Sequence, residues 1–319
     1  MPNLVFTDNP NNWRTVDYPN VPLTRVSLDS APDTPIAYVF FGHVNIDFDG
    51  DPTAYGPSGI DPPPDDNLQN AVDTGTDKWV GLLAMAPSDP LVVAGTVVLD
   101  RNPALEKHGK FPVVQQAANG DPSPGYYVST LPQASGPLHL QSSYIDSSQI
   151  AFGALSGKLR ALGFTLGDYG LAIRHDANNQ SGFYFVDTGA NNFALGECSL
   201  KVGTRLGGSG RGNSFNNNFP VSFIVFPGST TVDPAAVPSL DGSQIGSAIM
   251  PLLANLGGAD NAADLALLMA FNETDPPNRP RGTSRLATYK ASSGSDAPQN
   301  AATILQGLQA CGFPSTVTL

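Results

Sequence analysis

The first residues in this sequence whose types and spacing could do chemistry are three aspartates within five positions. Asp47, Asp49 and Asp51 follow a hydrophobic segment at 37–41. Because alternate residues of a strand share a face, we expect Asp47 and Asp49 to project together. The group predicts a pair of active-site acids, a hard-cation site of the Asp-x-Asp-Gly-Asp kind, or a solvated turn built from Asp and Gly. The cation site is a minority interpretation, because no Glu stands where an EF-hand loop has its bidentate ligand.

A second pair of carboxyl groups lies in segments that are otherwise apolar. Asp187 ends the apolar run 183–186, and Glu197 lies within the apolar stretch 193–200 although the chain has only three Glu. Burial raises a carboxyl pKa, which suits a general acid, while a more solvated carboxylate nearby stays ionised and serves as a base. Two carboxyl groups that flank a scissile bond are what glycoside hydrolysis requires. The structural alternatives are a turn residue before Gly189 for Asp187, and a partner of an Arg or a backbone amide for Glu197.

Composition limits the partners that such a site could serve. The 319 residues carry a formal net charge of −12, from 28 acidic and 16 basic side chains. Such a surface repels nucleic acid and attracts a polycation, so we predict no nucleic-acid partner and favour a cationic polysaccharide. Only two cysteines, Cys198 and Cys311, are present, which excludes a disulfide scaffold and a zinc site built from several thiolates.

Neither a membrane segment nor a secretory signal is expected in this chain. No apolar run reaches the roughly 18 residues of a membrane helix. The first residues lack the basic and apolar regions of a signal peptide. We therefore predict no membrane partner.

Short apolar segments separated by Pro, Asp and Gly predict a series of buried strands with no amphipathic helix between them. This pattern favours one mainly β domain, a barrel or a sandwich, over 22–229, after an N-terminal extension over 1–21. Ala- and Leu-rich patterns from 230 to 319 predict a helical appendage, with helices over 243–256, 261–271 and 298–311. The proline-rich stretch 275–282 is expected to be an extended loop.

Five segments, taken in order, resemble glycoside hydrolase family 75, the fungal and bacterial chitosanases and their relatives. They are NIDFDGDPTAYGPSGID, SYIDSSQIAF, LGDYGLAIR, FYFVDTGANNFALGECSL and VSFIVFPGS, and they cover roughly residues 40–229. The resemblance implies a compact β-barrel-like catalytic domain, with the double-psi barrel as a candidate type. It also implies an endo-acting enzyme that cleaves the β-1,4 linkages of chitosan with inversion. We further expect a monomer without cofactor or metal, and secretion on the strength of the family.

The same resemblance assigns roles to five acidic residues. The essential pair falls on Asp187 and Glu197, and Asp47 and Asp49 line the same cleft as substrate-binding residues. Asp168 matches a family position and is taken as substrate-binding or as structural support. On this hypothesis Glu197 protonates the glycosidic oxygen, Asp187 activates water, and Asp47 and Asp49 bind the amino groups of glucosamine. The reverse assignment of acid and base stays open.

Departures from the family leave other functions open. The stretch 144–152 lacks the proline expected there, 61–66 is an insertion, and Cys198 replaces a small residue. The alternatives are a hydrolase of another amino-sugar polymer such as peptidoglycan, a non-catalytic carbohydrate-binding module, and a calcium-stabilised interaction domain built on 47–51. Five aromatic residues are candidates for stacking on sugar rings, with core packing as the alternative role: Tyr55, Trp79, Tyr126, Tyr127 and Tyr169.

Overall fold

The structure is a computed structural model in which 16 strands and five α-helices are defined. It describes residues 4–13, 21–73, 78–131, 136–174, 177, 179–189, 195–217, 219, 221–230, 242–256, 274–275 and 279–280. The strands are β1 (Leu4–Trp13), β2 (Val21–Leu28), β3 (Ala31–Gly42), β4 (Asn45–Asp47), β5 (Val72–Asp73), β6 (Lys78–Trp79), β7 (Ala84–Met85), β8 (Val98–Leu99), β9 (Phe111–Val114), β10 (Phe152–Ala154), β11 (Tyr169–Arg174), β12 (Asn179–Asp187), β13 (Glu197–Ser199), β14 (Val221–Val225), β15 (Thr274–Asp275) and β16 (Arg279–Pro280). The helices are α1 (Pro90–Val93), α2 (Pro103–Glu106), α3 (Gly157–Ala161), α4 (Leu200–Arg205) and α5 (Gly242–Asn255).

A nine-stranded mixed sheet forms the main body, so the mainly β prediction is confirmed. Its strand order is β1-β2-β3-β14-β11-β12-β10-β13-β4. The pairs β10–β12 and β13–β4 are parallel, and the others are antiparallel. All five residues of the central strand β14 are buried, as expected for a strand covered on both faces.

The N-terminal segment belongs to this sheet. Strand β1 pairs in antiparallel register with β2, from Leu4 opposite Leu28 to Trp13 opposite Val21. The N-terminal extension predicted over 1–21 therefore contributes a strand to the sheet at residues 4–13. Polar residues and Pro10 interrupt the apolar pattern of β1, so the strand leaves little signal in the sequence.

Helix α5 packs on the sheet and contributes to its core. A Cβ on Gly182 of β12 would lie 2.7 Å from Ile249 Cδ1, so glycine leaves the room that this helix needs. Ile245, Ile249 and Leu253 are buried with the sheet residues. The helices predicted over 261–271 and 298–311 lie outside the described residues. Within 275–282, strand β16 pairs with β15 as a short antiparallel ladder.

A smaller lobe stands at the β4 end of the sheet. Two further buried clusters, including Phe48, Tyr55, Tyr127 and Val113, form its interior. Ile46 of β4 packs against both the main core and the first of these clusters. Strand β4 therefore lies at the junction between the lobe and the sheet. No helix in the described part of the chain is long and apolar enough to cross a membrane.

Candidate active site

The sheet places Asp187 and Glu197 on either side of Ala154, with one strand between their own strands. Asp187, at the end of β12, pairs with Ala154 of the parallel strand β10. Gly153 pairs with Cys198 of the antiparallel strand β13, so Glu197 lies beside Ala154 on its other side. The pairing of β10 with β12 shifts register between Gly153 and Ala154. Two strand spacings separate the two acidic backbones by about 9.5 Å.

Asp47 extends the row by one strand. Glu197 pairs with Asn45 of the parallel strand β4, and Asp47 lies two residues further along the same face. Asp47 is buried, and its Oδ1 accepts a hydrogen bond from the amide of Asp49 at 2.9 Å. The hydroxyl of Ser147 donates to the carbonyl oxygen of Asp47 and accepts from the amide of Leu200, so it fastens β4 to the start of α4.

Asp49 is held by the small lobe. A Cβ built on Gly81 would lie 1.9 Å from Asp49 Oδ1, and Gly81 has a φ of +67°. Glycine is therefore required at position 81 both for its left-handed backbone and for the close approach of the carboxyl group. The same Oδ1 accepts a hydrogen bond from the hydroxyl of Tyr55 at 2.6 Å. The Tyr55 oxygen also lies 3.1 Å from Asp66 Oδ2.

The buried carboxyl groups raise the pKa values of one another. Burial, followed by the negative charges of Asp187 and Asp49, raises the pKa of Glu197 to about 8. Burial is also the main reason that the pKa of Asp49 rises to about 7. The pKa of Asp47 is raised well above its usual range by burial and then by the charges of Asp49 and Glu197. The cluster therefore holds protons at neutral pH.

Asp187 is better placed than Glu197 to stay ionised. Burial raises its pKa, but the backbone N–H of Thr188 and the charge of Arg160 both favour its carboxylate. The two acids of the row thus have different environments, one favouring the protonated form and the other supporting the anion. Such a difference is the usual basis for an acid and a base in one site.

Asp168 has a structural role. The residue has no exposed surface. Its Oδ2 accepts hydrogen bonds from the amides of Thr165 and Gly228, and its Oδ1 accepts one from the amide of Thr230. The assignment of Asp168 as substrate-binding is therefore corrected, because substrate could reach this carboxylate only by displacing three backbone amides.

The third aspartate of the 47–51 group also points away from a shared ligand site. Asp51 Oδ1 accepts hydrogen bonds from the amide and the hydroxyl of Thr53. That hydroxyl also lies 2.6 Å from Asp65, whose carboxylate pairs with Arg211. Among the described residues, no group of three or more His, Cys, Asp or Glu is arranged to hold a metal ion. The calcium interpretation thus has no assembled ligand set in this part of the chain.

Burial separates the five aromatic candidates. Tyr55, Tyr126, Tyr127 and Tyr169 are all buried, as core packing predicts. Trp79 keeps part of its surface exposed, and its ring meets His108 edge-on at 6.4 Å. Trp79 is thus the only one of the five with surface available to a sugar.

Sequence reasoning missed Gly81, Asp66 and Arg160 as parts of the site. Gly81 and Asp66 are brought to Asp49 by the path of the small lobe, which no periodicity reveals. Arg160 lies in α3, which follows β10, and its charge acts on Asp187 because β10 is the neighbour of β12 in the sheet.

In comparisons with known proteins, no family model and no curated sequence matched this chain.

Proposed function

We propose that this chain is an endo-acting glycoside hydrolase that cleaves β-1,4 linkages in chitosan with inversion at the anomeric carbon. The observation that carries the proposal is the row Asp187–Ala154–Glu197, which brings two differently tuned carboxyl groups together across one intervening strand. The resemblance to family 75 supplies the substrate class, and the acidic surface agrees with a cationic polymer.

Glu197 is the general acid in this proposal. With a pKa raised to about 8, it carries its proton at neutral pH and can give it to the glycosidic oxygen. Two contacts fix its backbone. Strand β4 pairs with Glu197, and the next residue, Cys198, is buried in the main core. The carboxyl group is therefore carried on a rigid strand.

Asp187 is the general base, and it activates a water on the opposite face of the sugar ring. Arg160 and the Thr188 amide help it to remain a carboxylate. Inverting enzymes hold the two carboxyl groups about 6.5 to 9.5 Å apart, which leaves room for that water. The intervening strand β10 keeps the two backbones about 9.5 Å apart, so the two acids do not lie on adjacent strands.

Asp47 and Asp49 provide the negative charge that recognises the amino groups of glucosamine. Both carboxyl groups belong to the cluster that contains Glu197, so an ammonium group bound there lies close to the acid. An ammonium group relieves the repulsion among the carboxyl groups, whereas a neutral acetamide does not. This difference favours chitosan over its acetylated counterpart.

The proposal also covers the barrel type, the helical appendage and the cellular location. The sheet is expected to close at its β10–β13–β4 end as a barrel of the double-psi type, with the region after 230 as a helical appendage. The enzyme is expected to act as a secreted monomer.

The test compares soluble products from chitosan, acetylated chitin and peptidoglycan, and follows the anomeric configuration of the products by proton NMR. We expect new reducing ends from chitosan in the α configuration. Release from peptidoglycan alone would assign a different amino-sugar polymer. Binding of chitosan without new reducing ends would make the protein a carbohydrate-binding module.

A further inference from the structure

The hydroxyl of Tyr55 stands between two carboxyl groups and has a single proton to give. Its oxygen lies 2.6 Å from Asp49 Oδ1 and 3.1 Å from Asp66 Oδ2. Tyr55 keeps its own proton, because burial and the two negative neighbours raise the pKa of the phenol. If both carboxyl groups were ionised, one proton would have to serve two anions that converge on one oxygen. A second proton, carried by Asp49, gives each contact its own donor.

The surroundings explain why this second proton is retained. Asp49 interacts with Asp66, Asp47, Asp187 and Glu197, which are all acidic, and it is itself only partly exposed. Asp66 Oδ1 accepts hydrogen bonds from the amide of Asn67 and the side chain of Asn70, so its orientation is fixed. Asp66 is partly exposed, which gives the bridge a route to solvent.

We propose that Asp49, Tyr55 and Asp66 form a bridge that holds one exchangeable proton in the resting enzyme and releases it when an ammonium sugar binds. This inference rests on the proposed function and adds Tyr55 and Asp66 to the site as positioning residues. The balance is simple: the carboxylic acid loses a proton to the buffer, and the resulting carboxylate pairs with the ammonium group. A neutral acetamido sugar supplies no charge to replace the proton, so the bridge selects for the free amine.

Substitution of Asp66 by Asn separates this role from a structural one. The amide oxygen can still accept from Asn67 and Asn70, while the NH₂ group can donate to the Tyr55 oxygen in place of the shared proton. Asp66→Asn therefore preserves the hydrogen bonds of the bridge without a second proton, and it removes one of the negative charges that raise the pKa of Asp49. Asp33 is exposed, and Asp33→Asn removes one negative charge outside the bridge. This substitution is therefore the matched control.

The experiment is calorimetric titration of a soluble chitosan oligosaccharide into full-length protein that carries Glu197→Gln, so that no hydrolysis occurs. Titrations at pH 6 in buffers of different ionisation enthalpy give the number of protons released on binding. We expect this number to fall by about one when Asp66→Asn is added and to be unchanged by Asp33→Asn.

Two results would overturn the inference, and they differ from failure of the proposed function. Proton release that is the same with and without Asp66→Asn means that the bridge holds no exchangeable proton. Equal binding of the acetylated oligosaccharide means that the bridge does not select for the amine. If the oligosaccharide does not bind the Glu197→Gln protein at all, the proposed function itself fails.

A second variant, Tyr55→Phe, removes the hydroxyl that links the two carboxyl groups. It should shift the pH dependence of chitosan hydrolysis, and loss of stability alone would not cause that shift.

Discussion

Asp168 offers a quantitative test of how the sheet is joined to the segment that follows β14. Three backbone amides donate to its carboxylate, from Thr165, Gly228 and Thr230. In Asp168→Asn the amide oxygen can take the place of Oδ2 and keep two of these bonds. The NH₂ group then faces the Thr230 amide, so one bond to a charged acceptor is lost at a cost of about 1.5 to 3 kcal/mol.

Asp168→Ala removes all three acceptors. At about 1.5 to 3 kcal/mol for each bond to a charged acceptor, the total loss is about 4.5 kcal/mol or more. Urea unfolding measures both free energies of unfolding, and each kcal/mol corresponds to about 2 to 4 °C in Tm for domains of 150 to 250 residues.

The activity of Asp168→Asn completes the test. Because the carboxylate is buried and held by three backbone amides, the folded fraction of this variant should hydrolyse chitosan with an unchanged KM. Two results would contradict a purely structural role of Asp168. One is that the Asn and Ala variants are as stable as the unsubstituted protein. The other is a folded Asn variant that binds chitosan much more weakly.

The other predictions concern the carboxyl cluster. Gly81→Ala puts a Cβ against Asp49 at a φ of +67°, whereas Gly95→Ala, at +74°, meets nothing within 4 Å. Gly95→Ala should lose about 1 to 2 kcal/mol of stability in thermal unfolding, and Gly81→Ala should lose more because its Cβ also meets Asp49. Only Gly81→Ala should lower the activity per folded molecule; equal activities would contradict the packing of Asp49 on Gly81. The raised pKa of Glu197, about 8 against an ordinary 4.5, means that the folded state binds the proton more tightly than the unfolded chain. Its contribution to stability is therefore fully present below about pH 4.5 and is lost as the pH rises through about 8. Urea unfolding between pH 5 and 8 should show a smaller decline for Glu197→Gln than for the unsubstituted protein, and identical declines would mean that Glu197 is not buried among like charges.

Sequence patterns revealed the acids of the site because each stands out from its own neighbours. Asp187 ends an apolar strand, and Glu197 is one of three Glu in the chain and lies among apolar residues. The sequence could not show that Ala154 would separate them, because this depends on β10 inserting between β12 and β13. A parallel pair such as β10–β12 leaves no turn motif that would reveal its register.

Other features depend on contacts between distant segments. From the sequence, Tyr55 is an aromatic residue that could pack in the core or stack on a sugar ring. Only the structure places its hydroxyl between Asp49 and Asp66. Asp168 matched a family position, but the amides that surround it come from segments up to 62 residues away. Periodicity reports which residues share a face of one element, not which loops meet at its end.

The most direct test of the central claim is the release of reducing ends from chitosan by four purified proteins: the unsubstituted chain, Glu197→Gln, Asp187→Asn and the control Asp33→Asn. We expect the control to release reducing ends at the rate of the unsubstituted chain. Each site variant should lose at least about 100-fold in rate, the scale on which a positioned acid or base contributes. Near-normal rates for both site variants, with chitosan still cleaved, would contradict the assignment of Asp187 and Glu197 as the catalytic pair.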